Sequence, residues 1–231
     1  MIGFLTTLFY YLNVAWIRVL LFFAASRDIR GRENVPRKGP LILVSNHLNN
    51  ADPPLVGPTT PRQISWLTKA EWFSTPIIGL MFRMAGMIPV RRFDADLQAL
   101  RKAQDLLKRG GCLGMFPEGT RSHGTGLGEG QHGTALIALR SGATIQPVAI
   151  WGTEHVKLPR DIFRRTRVHI RFGTPFRIDA PKRITRADVE ASTRRIMTAI
   201  ADLLPEEYRG VYRERTPGPS NTDRQTAGSN Q

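Results

Sequence analysis

Residues 40–54, Pro-Leu-Ile-Leu-Val-Ser-Asn-His-Leu-Asn-Asn-Ala-Asp-Pro-Pro, pass from an unbroken apolar run into a polar turn and then a proline pair. Pro40 to Ser45 reads as a short buried strand, since a continuous apolar run of this length bounded by turn signals suits a strand covered on both faces. It delivers Asn46 and His47 to the strand's C-terminal end. Ile64 to Thr68, Met87 to Val90, Cys112 to Phe116 and Ile145 to Ile150 are runs of the same type. Between them lie helical stretches. Asp94 to Arg109 has acidic residues at its start, Leu97, Leu100, Gln104 and Leu107 along one face, Lys108 and Arg109 at its end, and Gly110 to stop it. Gly133 to Ser141 reads as a shorter helix closed by Gly142. Strands alternating with helices predict an α/β fold, a mainly parallel sheet covered by helices on both faces. In such folds ligands gather beyond the carboxyl ends of the strands.

Further along, Val168, Ile170 and Phe172 alternate with Arg167, His169 and Arg171, the pattern of a half-exposed strand nearer the sheet edge. Thr185 and Asp188 form a capping box, and Val189, Ile196, Ile200 and Leu203 continue it as an amphipathic helix ending at Pro205. After Arg215 the composition turns to Pro, Gly, Ser, Thr and Asn, which predicts disorder.

The chain has 231 residues and a formal charge of +14, so a negatively charged partner is expected, nucleic acid or an anionic membrane surface. The apolar residues choose between them. Met1 to Ala25 is dominated by large apolar side chains and carries one charge, Arg18. A nucleic-acid-binding domain has no need of such a segment. A signal peptide would place its basic residues ahead of the apolar run, whereas Arg18 sits inside it. The length suits a spanning helix, but Asn13 and Arg18 weaken its centre, so an anchor lying in the membrane plane with Arg18 reaching the phosphates fits as well. A core helix of a soluble protein is the third reading. The expected organisation is a membrane-anchoring helical segment at 1–26, one catalytic domain at 27–205 and a polar tail at 206–231. Cys112 is the only cysteine, which excludes an internal disulfide and suits a cytosolic setting; it reads as a small core residue.

Two polar constellations follow predicted strands. His47 and Asp52 are five positions apart, which is not one helical face, so the pair must meet across the turn with Asp52 at the helix entrance. There the carboxylate can fix which imidazole nitrogen carries the proton, leaving a base competent near neutral pH. The alternative is that Asp52 caps the helix starting at Pro53 and His47 is an ordinary satisfied polar residue. The second constellation is Phe116-Pro117-Glu118-Gly119-Thr120-Arg121-Ser122. Gly119 allows close backbone approach, Thr120 and Ser122 offer hydroxyls, and Arg121 offers a forked donor suited to phosphate. Glu118 would order Arg121 or the glycerol oxygens of an acceptor; taken alone, the motif also reads as a polar turn with a surface ion pair, and it is the two constellations together at strand ends that favour a site.

With these blocks in order, the chain resembles the glycerolipid acyltransferases that include the bacterial 1-acylglycerol-3-phosphate acyltransferases. The match runs through Asn46-His47 to Asp52, Gly86-Met87-Ile88-Pro89-Val90-Arg91-Arg92, Phe116 to Ser122, and Ile145-Gln146-Pro147-Val148-Ala149-Ile150, within residues 31–178. The resemblance implies that His47 is a general base and Asp52 its orienting partner, without a cofactor, a metal or a covalent acyl-enzyme. It implies that Arg92, Glu118, Gly119, Thr120 and Arg121 bind the phosphate and glycerol of the acceptor, with Lys69 a further phosphate contact and Pro147 shaping the donor side. The expected reaction moves a fatty acyl group from acyl-CoA or an acyl carrier protein to the sn-2 hydroxyl of 1-acylglycerol-3-phosphate at the cytoplasmic face of the cell membrane. Membrane lipids are expected partners and nucleic acid is not.

One departure is visible. Where members of the family often carry an apolar residue and a Lys before the Gly opening the next helix, this chain has Gly130-Gln131-His132-Gly133. The headgroup therefore stays open between lysophosphatidic acid and other acceptors: glycerol 3-phosphate, a lyso-aminolipid or another lysophospholipid. His123 and His132 read as loop residues. No Gly-x-Ser-x-Gly elbow is present, which disfavours a serine hydrolase. A non-catalytic basic binder of anionic lipid or nucleic acid is the alternative of another class.

Overall fold

Largely apolar runs at residues 41–45, 64–69, 112–115 and 144–151 favour burial, and together they make the centre of one sheet. The computed structural model describes residues 25–91, 96–122, 126–156 and 165–215. The strands are β1 (Ala25–Arg30), β2 (Leu41–Ser45), β3 (Ile64–Lys69), β4 (Ile88–Val90), β5 (Cys112–Met115), β6 (Thr144–Trp151) and β7 (Thr166–Phe172). The helices are α1 (Asp52–Val56), α2 (Pro76–Met84), α3 (Leu97–Lys108), α4 (His132–Ser141) and α5 (Arg186–Ala201). The strand order is β1-β7-β6-β2-β5-β3-β4. Every neighbouring pair is parallel except β6 and β7. The fold is thus a mixed, mostly parallel α/β sheet.

Alternation along β2 shows how the core is built. Ile42 and Val44 enter a layer with Ala103, Leu107, Ala135, Ala138, Ile196 and Ile200 from α3, α4 and α5. Leu41 and Leu43 enter the opposite layer with Leu55 and Val56 of α1, Ile64, Trp66 and Val168. Each fully buried Leu or Ile contributes about 1.5–3 kcal/mol before entropy is counted. The two faces are unequally covered. Among the described residues three long helices cover the first, whereas the second carries the short α1, with α2 standing over a cavity.

Two boundaries differ from the sequence reading. Ala25–Arg30, read as the end of an anchor and a polar hand-over, is an edge strand running parallel to β7. Its sequence lacks an apolar run because it is held by the ladder and by Asp28, whose carboxylate accepts from Arg171 and meets His169 Nδ1 at 3.2 Å. Consequently β7 lies one strand inside the edge. The domain also continues past Pro205: Glu206–Tyr208 and Gly210–Arg215 form 3₁₀ turns against the body. There Leu127 N–H donates to Tyr208 O at 2.9 Å, Val211 N–H donates to Leu127 O at 3.1 Å, and Tyr212 is buried. The assignment of 206–231 to a tail is corrected for 206–215, because two tyrosines find apolar partners there. Residues 1–24 of the anchor expected at 1–26, and the tail beyond 215, lie outside the described residues. Among the described residues no helix is long and apolar enough to cross a membrane.

Helix ends follow their chemistry. Asp96 caps α3 by accepting from Gln98 and Ala99 N–H. Thr185 and Asp188 complete the capping box of α5. Gly142 closes α4 with φ 60°, a left-handed conformation that glycine adopts without strain.

Candidate active site

Strands β2 and β5 are parallel neighbours in register from Leu41 opposite Cys112 to Val44 opposite Met115. Their C-terminal ends therefore lie side by side, and the two polar turns that follow must touch although 71 positions separate His47 from Glu118. The contact is made at the His47 backbone. Its N–H donates to Glu118 Oε1 at 3.0 Å. Its carbonyl accepts from Ser122 N–H at 2.8 Å and Ser122 Oγ at 3.0 Å.

The imidazole is held as firmly. His47 Nδ1 lies 2.8 Å from Asp52 Oδ2, and the same oxygen accepts from Leu48 N–H at 2.7 Å and Asn49 N–H at 2.8 Å. Asp52 is completely buried, and its Oδ1 is buried without a hydrogen bond. An acceptor-only carboxylate on Nδ1 selects the tautomer with its proton there, which in the neutral ring leaves the lone pair on Nε2. The cap-only reading of Asp52 does not describe this arrangement, since its hydrogen bonds run back to residues 47–49. Pro53 and Pro54 start α1 without needing N–H partners, which leaves the carboxylate to the turn.

Rings fix the plane of the imidazole. Phe116 stacks on His47 with centroids 4.0 Å apart and 15° between planes, and Trp66 stacks on Phe116 at 4.8 Å and 13°. Gly114 makes this possible, because a Cβ there would come within 2.5 Å of the Trp66 ring. Two asparagines secure the turn from the β6 side. Asn46 pairs with the Ile150 backbone, donating to its O at 2.7 Å and accepting from its N–H at 2.9 Å. Asn49 Nδ2 donates to Thr153 O at 2.9 Å and Val156 O at 3.0 Å.

His47 faces a cavity of about 670 Å³ on the α1 and α2 side of the sheet. Ile64, Trp66, Phe116 and α2 residues Ile78 and Phe82 form apolar walls, and exposed Lys69, Thr120 and Arg121 stand on its polar side. The structure thus brings His47, Lys69, Thr120 and Arg121 to one cavity, with Asp52 behind the imidazole. Glu118 lies elsewhere. It is 4% exposed, and its oxygens accept from His47 N–H and from Gly128 N–H at 2.9 Å. Burial raises its pKa, opposed by those two backbone donors. It braces the His47 turn against the 126–131 loop and makes no described contact with Arg121. Gly119 has φ 70° and turns the chain beside Gln131 without lining the cavity. Arg92 and His123 lie outside the described residues. His132 opens α4 and meets Thr193 Oγ1 at 3.3 Å, away from the cavity.

Sequence reasoning missed the bracing role of Glu118, the three-ring stack and the two asparagines. A signal for the stack was present in the aromatic residues Trp66 and Phe116, each on a predicted strand. Nothing local in the sequence says that Asn46 and Asn49 reach across to β6 and its loop.

Residues 26–151 match the family described as Acyltransferase. A 1-acyl-sn-glycerol-3-phosphate acyltransferase of Streptococcus pneumoniae is 31% identical over 180 residues, 77% of this chain and 65% of that protein. The chloroplastic 1-acyl-sn-glycerol-3-phosphate acyltransferase BAT2 of Brassica napus is 30% identical over 141 residues, 60% of this chain and 41% of that protein. A lyso-ornithine lipid O-acyltransferase of Pseudomonas aeruginosa is 34% identical over 137 residues, 58% of this chain and 52% of that protein. The chain thus spans less than two thirds of the length of these relatives. Among solved structures, the 1-acyl-sn-glycerophosphate acyltransferase PlsC of Thermotoga maritima shares the fold with a TM-score of 0.62 and 21% identity, over 95% of this chain and 100% of that one.

Proposed function

The chain belongs to the acyltransferase family, and from that premise we propose that it moves a fatty acyl group from an acyl thioester to the sn-2 hydroxyl of 1-acylglycerol-3-phosphate, giving phosphatidic acid. The observation that carries the reading is the His47–Asp52 pair opening onto an apolar cavity with Arg121 and Lys69 on its polar side.

The acceptor hydroxyl lies against His47 Nε2 and gives up its proton as its oxygen attacks the thioester carbonyl. The carbon–sulfur bond then breaks, and the thiolate leaves with the proton from the imidazolium. Asp52 holds the tautomer and faces the positive charge that develops on the ring. A thioester carries its own activation, so the step calls on no cofactor. Arg121 and Lys69 supply the cations that a phosphomonoester requires, and Thr120 adds a hydroxyl. In this reading Arg92 joins them and Gly119 lets the backbone turn close to the phosphate. Glu118 serves by holding the His47 backbone in place. The apolar walls receive an acyl chain. The donor is acyl-CoA or an acyl carrier protein, and the work is done at the cytoplasmic face of the cell membrane, with the N-terminal apolar segment as an anchor.

A second reading, acylation of a lyso-aminolipid, is favoured by one observation. The segment Gly130-Gln131-His132-Gly133 brings no Lys, and a Cβ at Gly130 would come within 2.5 Å of Met197, so the backbone packs against α5 there. The test supplies one acyl thioester with lysophosphatidic acid, glycerol 3-phosphate, lysophosphatidylethanolamine or a lyso-aminolipid, and follows products by mass spectrometry. Phosphatidic acid formed with the highest kcat/KM supports the first reading. A preference for the lyso-aminolipid replaces it with the second.

A further inference from the structure

Helix α2 has the sequence Pro-Ile-Ile-Gly-Leu-Met-Phe-Arg-Met and is apolar around its whole circumference apart from Arg83. Such a helix is normally buried on all sides. Here one side is used: Ile78 and Phe82 line the cavity, and Gly79 packs so closely that a Cβ would lie 2.3 Å from Phe73 O. Among the described residues the other side is bare. Ile77 is 75% exposed, Leu80 54% and Met81 42%, positions three and four apart that share one helical face. Trp72, on the 3₁₀ turn preceding the helix, is 47% exposed and extends the patch. Only two other large hydrophobic side chains among the described residues, Leu97 and Val211, are comparably exposed. A contiguous apolar face of this kind marks a contact surface.

We propose that this face, Trp72, Ile77, Leu80 and Met81, seats the domain on an anionic lipid bilayer with α2 lying in the plane of the headgroups. Three observations select lipid as the occupant. First, the charge favours lipid: over residues 69–84 and the described lining of the adjoining cavity, the charged side chains are Arg83, Lys69 and Arg121 against Glu71. Cations around an apolar face suit the phosphates of anionic lipids, and Trp suits the headgroup level. Secondly, the patch is continuous with the cavity, since Trp72 belongs to both and Ile78 and Phe82 lie on the inner side of the same helix. An acyl chain leaving the bilayer at this face reaches His47 without crossing water. Thirdly, nine residues of helix are about 13 Å long, far too short to span a bilayer but suited to shallow insertion. The purpose of the surface rests on the lipid-acylation reading; its existence does not.

The test uses the full chain carrying Ile77→Cys labelled with an environment-sensitive fluorophore, because the native Cys112 is buried and stays unlabelled in the folded protein. A second protein carries the label at Arg101→Cys on exposed α3. Vesicles of phosphatidylglycerol and phosphatidylethanolamine are compared with pure phosphatidylcholine. The label at 77 is expected to shift to the blue with the anionic vesicles and that at 101 to stay unchanged. Leu80→Asp, with folding checked by circular dichroism, is expected to weaken vesicle co-sedimentation by about tenfold, and the anionic preference should fade at high salt. A 77 label already blue-shifted without vesicles would mean that residues 1–24 or a second copy cover the face, and the proposal falls. An unshifted label on protein that co-sediments would equally overturn it. Activity is measured separately: loss of transfer with the shift intact counts against the catalytic reading alone.

Discussion

Replacing Asp52 by Asn exchanges one carboxylate oxygen for an NH₂ with almost no change of shape, and the geometry predicts a large loss. One carboxylate oxygen accepts three hydrogen bonds, from His47 Nδ1, Leu48 N–H and Asn49 N–H, while the other is buried with none. An amide has two ways to sit there. With its oxygen on the three donors, its NH₂ occupies the empty position and becomes a buried donor without a partner, costing about 1–3 kcal/mol of stability. Flipped, the NH₂ meets three N–H groups, and His47 must move its proton to Nε2, the nitrogen that has to act as base. Either way the negative charge facing the imidazolium is gone. General-base assistance is worth about 10²–10⁴ in rate, or about 2.7–5.4 kcal/mol of barrier. Asp52→Asn should therefore lower kcat by a factor in that range with little change in acceptor KM. The assay measures acyl transfer by wild type, Asp52→Asn, His47→Ala and the double variant, with circular dichroism confirming the fold. Because the two residues act as one unit, the double variant should be scarcely worse than His47→Ala alone. A folded Asp52→Asn protein within about twofold of wild type, or a double variant as slow as the product of the single losses, would refute the reasoning.

Other outcomes follow from the same coordinates. Desolvation pushes the Cys112 thiol up to about 12, so iodoacetamide at pH 8 should modify it only after unfolding; rapid modification of the native protein would contradict its placement. Asp28 is lowered from 3.8 to about 2, first by its hydrogen bond to Arg171 and then by His169 and nearby charge. A depressed carboxylate adds stability that is present above its unfolded pKa and lost as pH falls through the folded one. Protection of β1 amides from hydrogen exchange should therefore hold above about pH 4 and decline towards pH 2, and Asp28→Asn should remove that decline; an unchanged profile argues against the clamp. Gly114→Ala forces a methyl to within 2.5 Å of Trp66 and 2.6 Å of Ile64, and should cost about 1–3 kcal/mol in a denaturant titration while disturbing the stack on His47. A variant as stable and active as wild type would show that the stack gives way freely.

Strands β2 and β5 were legible because each is buried along its whole length and reads as a short apolar run. The turn joining His47 to Asp52 was legible for a stereochemical reason, since a separation of five and a following proline pair admit few arrangements. The edge strand Ala25–Arg30 was not, because a polar edge strand owes its place to a ladder with β7 and to Asp28 finding Arg171, both remote in sequence. Glu118 shows the same limit in the site. Its position after β5 could be read, but its direction depends on which strand lies beside β5. Once β2 is that neighbour, the carboxylate meets the His47 backbone in place of a ligand. The C-terminal turns at 206–215 were lost to composition, which registers charge and misses two tyrosines that find apolar partners.

The central claim is that His47 takes the proton from a lipid hydroxyl as that hydroxyl attacks a thioester. The direct measurement is the rate of phosphatidic acid formation from lysophosphatidic acid and an acyl thioester by folded His47→Ala protein beside wild type. The account predicts a loss of about 10²–10⁴ in kcat for the variant at saturating substrates. Near-normal turnover by folded His47→Ala would contradict it.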